Sequence, residues 1–255
     1  KTILTVFLHQ TPPEVTDAAT AALRKEIGHL LQECQLYNLR LLRIDEKLVF
    51  DGDLPFELNR KRKSTLEELY ENIKLLHAEI FTYYAKILAN NLNEAESKEL
   101  ERLIYASRNM MNSIKNFKGV RHNLDEFDGS DNAYLNLQYK QFRRRLIERY
   151  HDMGRVLQTA GKQDQYVGLM AAYLQIEETD NHFIENTLSA VTEGKIHDLE
   201  ISSLLLVNRL FTQSCRMQVY GMKDLLLSQD LVNHFDRTMD AKVNSAAEQN
   251  SALPA

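Results

Sequence analysis

The sequence predicts an all-α fold built as two tandem antiparallel three-helix bundles. Three observations lead there. Apolar residues recur at a 3.6-residue period through long segments, as in Leu204, Val207, Phe211, Cys215, Met222 and Leu225, which is the signature of an amphipathic helix. Nine glycines, four prolines and no tryptophan in 255 residues leave few strand and turn signals. The third and sixth periodic segments also align without gaps at an offset of 101 residues, so that Arg108 matches Arg209, Ser113 matches Ser214, Lys115 matches Arg216 and Leu124 matches Leu225. Matches among polar positions weigh more than apolar ones, since any two amphipathic helices share leucines. The offset therefore reads as a duplicated three-helix unit.

Taken in order, Pro12 and Pro13 open the first helix, with Glu14 and Asp17 suited to its positive end. Its stripe runs through Ala19, Leu23, Ile27, Leu30, Cys34, Tyr37 and Leu41 to about Lys47. Asp51-Gly52-Asp53-Leu54-Pro55 is the clearest turn in the chain. Ser64-Thr65-Leu66-Glu67 reads as a capping box for a second helix that ends near Asn90-Asn91. A third helix is expected from Glu94 to about Leu124, and the acidic stretch Asp125–Asp131 as a linker between units. A fourth covers Asn132 to about Thr159, and two more, parted at Glu193-Gly194-Lys195, reach about Leu231. The units are thus 14–124 and 132–231, with 1–13 and 236–255 expected to be poorly ordered. Short connections make neighbouring helices antiparallel.

The net charge of −5 supplies no global basic field for nucleic acid. Cys34 and Cys215 lie on apolar helix faces and read as buried free thiols; two isolated cysteines do not form a zinc-type pair. No apolar run approaches the roughly 20 residues that span a bilayer. An opening at Lys1 rather than Met leads us to expect a piece of a longer protein. Arg60-Lys61-Arg62-Lys63 is either a solvated linker or a contact for anionic lipid headgroups.

Chemistry has few candidates. Glu148 with Asp152, and Glu178 with His182, are spaced four apart, so each pair shares a helix face and is a candidate set of ligands for a divalent metal. His151 and Glu185 would extend the two sets. Such pairs also occur as solvated helix faces, and Arg143, Arg144, Arg145 and Arg149 are close enough to neutralise the acids of the fourth helix. No nucleophile elbow or phosphate-cradling glycine loop is present, so no enzymatic activity and no catalytic residue are expected. The basic residues of Tyr139–Arg145 read as ordinary bundle surface, and Met110, Met111, Met217 and Met222 as core filler.

The stretch EISSLLLVNRLFTQSCRMQVYGMKDLL (200–226), supported by SIKNFKGVRHNL (113–124), resembles the PhoU family of phosphate-signalling proteins. More closely, it is similar to the PhoU-like domain that follows the membrane part of bacterial sodium/phosphate cotransporter-like proteins. That resemblance covers roughly Asp17 to Leu231. It implies a non-catalytic regulatory or accessory domain on the cytoplasmic side of the inner membrane, whose partner is the membrane-embedded transporter part of the same polypeptide. It implies no resident organic cofactor. Stand-alone relatives carry Glu/Asp-x-x-x-Asp metal motifs, whereas the corresponding faces here hold Arg108, Asn112 and Lys115, and Arg209, Gln213 and Arg216. Only Glu148-x-x-x-Asp152 fits the motif. The alternatives are a metal-binding carboxylate bundle with redox or hydrolytic activity, and a plain scaffold acting as a homodimer. The recurring Arg and Ser positions are expected to tie helices together or bind an anion.

Overall fold

The computed structural model describes residues 3–49 and 64–251. The expected turn at Asp51–Pro55 and the basic run Arg60–Lys63 lie outside those residues. Among the described residues there are seven α-helices and no strand: α1 (Thr16–Leu41), α2 (Leu66–Ile87), α3 (Glu94–Gly129), α4 (Ala133–Gln158), α5 (Lys162–Thr192), α6 (Asp198–Leu226) and α7 (Gln229–Ser251).

Each triplet runs up, down and up. In the first, α2 lies antiparallel to α1, with the Tyr37 and Tyr70 rings 5.4 Å apart near one end and Asn90 bonded to Thr16 at 3.1 Å near the other. In the second, α5 is antiparallel to both neighbours, stacking Phe183 on Phe142 of α4 (5.5 Å) and Tyr173 against Tyr220 of α6 (6.2 Å). The two triplets then pack face to face. α3 runs antiparallel to α6, and α1 antiparallel to α4, so α1, α3, α4 and α6 form an inner four-helix layer with α2 and α5 outside it. The buried apolar side chains, from Leu8 to Met239, make one continuous cluster. Each fully buried Leu, Ile or Phe contributes roughly 1.5–3 kcal/mol.

Among the described residues, the α3–α6 contact is the most extensive between helices. A methyl group on Gly221 would meet Met110 Cε at 2.5 Å and the Ala106 carbonyl oxygen at 3.2 Å, so any side chain there would displace Met110 and press on the α3 backbone.

Several expected boundaries move, each for a local physical reason. The first helix stops at Leu41, not near Lys47, because Arg43 takes a left-handed conformation (φ 53°) and Ile44 N–H donates back to Leu39 O at 2.9 Å. Arg143 of α4 holds this end by donating to Leu42 O at 3.0 Å and Arg43 O at 2.8 Å. The capping box of α2 sits one residue later than expected, with Thr65 Oγ1 accepting from Glu68 N–H (3.1 Å) and Glu68 accepting from Thr65 N–H (3.0 Å). The acidic linker is mostly helix. α3 continues to Gly129 because Phe127 extends the stripe of Val120 and Leu124 into the core, while Asp125 and Asp128 pair with Arg43 at 3.3 and 2.8 Å. Gly194, at φ 71°, supplies the left-handed residue that ends α5, as expected.

Both ends carry structure over the described residues. Residues 236–251 belong to α7, whose Val232, Phe235 and Met239 are buried, with Phe235 set edge-on to Tyr166 and Tyr173. At the other end, Glu26, fully buried on α1, accepts three successive N–H groups through Oε1: Val6 at 2.9 Å, Phe7 at 3.0 Å and Leu8 at 3.3 Å. Its Oε2 lies 2.8 Å from His29 Nδ1. Tyr83 of α2 and Asn90 just beyond its end fasten the same segment by donating to Thr11 O and Pro13 O at 2.9 and 2.8 Å.

Burial alone would disfavour charge on His29, but its hydrogen bonds to Glu26 and Glu33 outweigh that and raise its pKa to about 9. Because this lies above the unfolded value of 6.5, the pair stabilises fully below that value, and the stabilisation is lost as pH rises through about 9. Denaturant unfolding should therefore lose on the order of 2–3 kcal/mol between about pH 6 and pH 9, and His29→Gln should flatten that profile. Gly221→Val should cost about 1–3 kcal/mol by overpacking. Gly28→Ala, with nothing within 4 Å of the new methyl, should instead stabilise by about 0.5–1 kcal/mol. Thermal melts of the two variants check this contrast.

Candidate functional site

Polar side chains gather at two places inside the bundle. The first is the joint between the triplets. Ser113 of α3 and Ser214 of α6, which the offset of 101 makes equivalent, touch each other: Ser214 Oγ donates to Ser113 O at 2.7 Å. Contacts spread from this pair in antiparallel register, with Phe117 on Phe211 at 5.6 Å to one side and Met110 beside Gly221 on the other. The two serines thus sit where α3 and α6 cross. Around them Gln218 donates to Ser113 Oγ and to Tyr150 Oη, both at 3.1 Å. From α1, Gln35 donates to Gln218 Oε1 at 3.2 Å and Asn38 to Tyr150 Oη at 2.9 Å. All these side chains are buried. Burial pushes the Tyr150 phenol far above its ordinary range, so it stays a neutral hydroxyl. No group here is poised to gain or lose a proton, and the layer works as a registration device joining four helices.

The second place is a cavity between α4, α5 and α6, lined by Arg145, Arg149, Ile176, Phe211, Thr212 and Cys215 among others, with about 10 Å³ of free volume. That is room for one water-sized guest. α4 brings both arginines to it because Arg149 follows Phe142 by seven residues and Leu146 by three, on the helix's buried stripe. Arg145 donates to Asn208 Oδ1 at 3.0 Å, and Asn208 passes its own N–H to Asp180 at 2.6 Å. The guanidinium carbon lies over three rings, Phe211 at 4.5 Å, Phe142 at 5.3 Å and Phe183 at 5.7 Å. Burial lowers the Arg145 pKa to about 10, against a weaker upward pull from Cys215 and Asp180, and the group stays charged at neutral pH. Burial raises Cys215 to about 12, so it remains a thiol.

The four sequence-predicted metal ligands do not converge. Glu148 is exposed and pairs with Arg144 at 3.0 Å; Asp152 lies between Arg149 (3.3 Å) and Arg155 (3.7 Å). Glu178 and His182 meet only each other, at 3.8 Å on the open face of α5. Among the described residues, no three His, Cys, Asp or Glu side chains come together as a metal-binding group. Guanidinium groups pair with both α4 carboxylates.

The polar repeat positions divide. Arg216 ties α6 to α5 through a two-pronged bond to Glu177 at 2.5 and 2.8 Å. Arg108 and Arg209 are exposed. The reading of Tyr139–Arg145 as plain surface fails at Tyr139, Phe142 and Arg145. Tyr139 and Phe142 are buried, and Arg145 is sunk among aromatics.

With this geometry in hand, comparison with protein-family models, curated proteins and solved structures finds no significant match to the chain. Function must therefore be argued from the molecule itself. Gln218→Leu should cost about 1–3 kcal/mol by removing the oxygen acceptor of Gln35 and one of the donors to Ser113 Oγ and Tyr150 Oη, whereas Arg209→Ala on the exposed face should stay within about 0.5 kcal/mol. Urea unfolding of the two variants tests the weight given to the joint.

Proposed function

We propose that this chain is a non-catalytic, PhoU-like regulatory domain of a sodium-coupled phosphate transporter, acting through helix-bundle contacts on the cytoplasmic side of the membrane. The observation that carries the reading is the duplication. Two up-down-up triplets meet about the equivalent residues Ser113 and Ser214, 101 positions apart. The polar chemistry of the interior goes into joining the triplets, which suits a body that is moved or held by a partner.

No helix among the described residues is long and apolar enough to cross a membrane, so on this reading the spanning part lies elsewhere in the same polypeptide. The contact face is on α5. Ile184, Leu188 and Val191, spaced four and three apart, share one side of that helix and are 42 %, 64 % and 37 % exposed. Together with Leu199, 81 % exposed at the start of α6, they are more apolar surface than a solvated helix needs. The same face would serve the second reading, a scaffold that pairs with another copy of itself.

Uptake measurements on the complete gene product decide between these. Removing residues 14–231 should leave membrane insertion intact and abolish the dependence of uptake on phosphate supply. Ile184→Glu with Leu188→Glu should do the same while leaving the circular dichroism of the purified domain unchanged. Unaltered uptake in both cases, or a complete gene product without apolar spans, ends the transporter reading. A dimer in light scattering that the same double substitution dissolves would favour the scaffold.

A further inference from the structure

We propose that the cavity between α4, α5 and α6 binds a single halide-sized anion, held by Arg145 and Arg149. The inference is independent of any transporter role.

Charge is the first reason. Among the described residues, no carboxylate lies within ion-pair distance of Arg145, whose direct acceptor is the neutral amide of Asn208 at 3.0 Å. Arg149, 8 % exposed, has only a share of Asp152, which it approaches at 3.3 Å while Arg155 approaches the other oxygen at 3.7 Å. A buried cation, Arg149, and a partly buried one, Arg145, therefore face one cavity; Asp152 is shared with Arg155, and Asp180 reaches Arg145 only through Asn208. A buried charge without compensation is among the costliest arrangements in a protein interior.

Hydrogen bonding is the second. Arg145 Nε and Arg149 Nη1 are both buried and have no acceptor. The neighbouring donors are already committed: Thr212 Oγ1 donates to Asp180 at 3.3 Å and Thr179 Oγ1 to Gln175 O at 2.7 Å. Glu148, the acidic residue in the lining, turns its carboxylate to Arg144 at 3.0 Å. What the cavity lacks is an acceptor that carries negative charge.

Size then selects the anion. The free volume of about 10 Å³ holds one water-sized guest. Phosphate, sulfate and carboxylates need several times that room. A water molecule would satisfy the two N–H groups but leave both charges uncompensated, whereas chloride or bromide does both. Phe211 and Ile176 complete the wall with apolar surface, which suits a weakly hydrated monovalent ion.

The test uses the purified full chain. Thermal unfolding in sodium chloride or bromide, against sodium gluconate at equal ionic strength, should show a saturable rise of about 3–5 °C at ten times the dissociation constant. Phosphate should give no saturable rise. Arg149→Met should weaken the halide response at least about tenfold. Should that variant fail to fold, anomalous diffraction from bromide-soaked crystals of the unaltered chain decides, with a peak expected between the two guanidinium groups. Equal melting in chloride and gluconate, bromide on the surface only, or a water that bromide does not displace would each overturn the proposal. A saturable response to phosphate in place of halide would overturn the size argument.

Discussion

Everything in this molecule depends on keeping a buried polar layer satisfied where α3 crosses α6. Ser113, Ser214, Gln218, Tyr150, Gln35 and Asn38 come from four helices and bond to one another rather than to water. Each such bond adds little net stability, about 0.5–1.5 kcal/mol, yet a broken one leaves a buried group unpaired. Apolar faces can slide past each other by a turn at modest cost. This layer cannot, so it sets the register that the surrounding leucines and phenylalanines then fill. Gly221 permits it by letting α6 approach the backbone of α3 at Ala106.

The second organising device is the capture of helix ends across the repeat boundary. The C-terminus of α6 is gripped by three cations: Arg24 of α1 donates to Leu225 O, Arg102 of α3 to Leu227 O at 2.9 Å, and Lys162 of α5 to Leu226 O. Positive charge at the negative end of a helix dipole is favourable, and the carbonyls that the last turn leaves unpaired are bonded. The reciprocal grip comes from α4, whose Arg143 and Tyr139 hold the end of α1 at Leu42. Each triplet thus supplies the cap of the other. Expecting a boundary at Asp125–Asp131 treated the triplets as separable, but they share one core and each other's caps.

The long helices were legible because a 3.6-residue stripe sustained over six turns has no competing explanation, and Ser113 and Arg108 against Ser214 and Arg209 pointed to the contact between α3 and α6. What was not legible depended on distant partners. Nothing near Leu41 says that the helix stops there; the residue that fixes the stop is Arg143, a hundred positions on. Phe127 was a readable clue that α3 continues, outvoted by the acids around it, whose partner Arg43 lies on another element. Val232, Phe235 and Met239 held a helical spacing too, hidden in a polar tail. Arg145 was read as surface because charged helix residues usually are. The signal against that was its place three after Phe142 and four before Arg149, on the side that Tyr139, Phe142 and Leu146 take into the core. The metal candidates rested on spacing along one helix, which says nothing about what faces it.

The grip on α6 also imposes an order of events on the chain as it leaves the ribosome. Arg24 emerges about two hundred residues before the carbonyl of Leu225 that it will hold, and Ser113 waits a hundred for Ser214. Until then the first triplet carries Gln35, Asn38 and Ser113 on a face with no partner, at the usual synthesis rate of roughly 5–20 residues per second. It can collapse early, because its own contacts are local, but it cannot close. The nascent first triplet therefore exposes a polar seam that only α4 and α6 can cover.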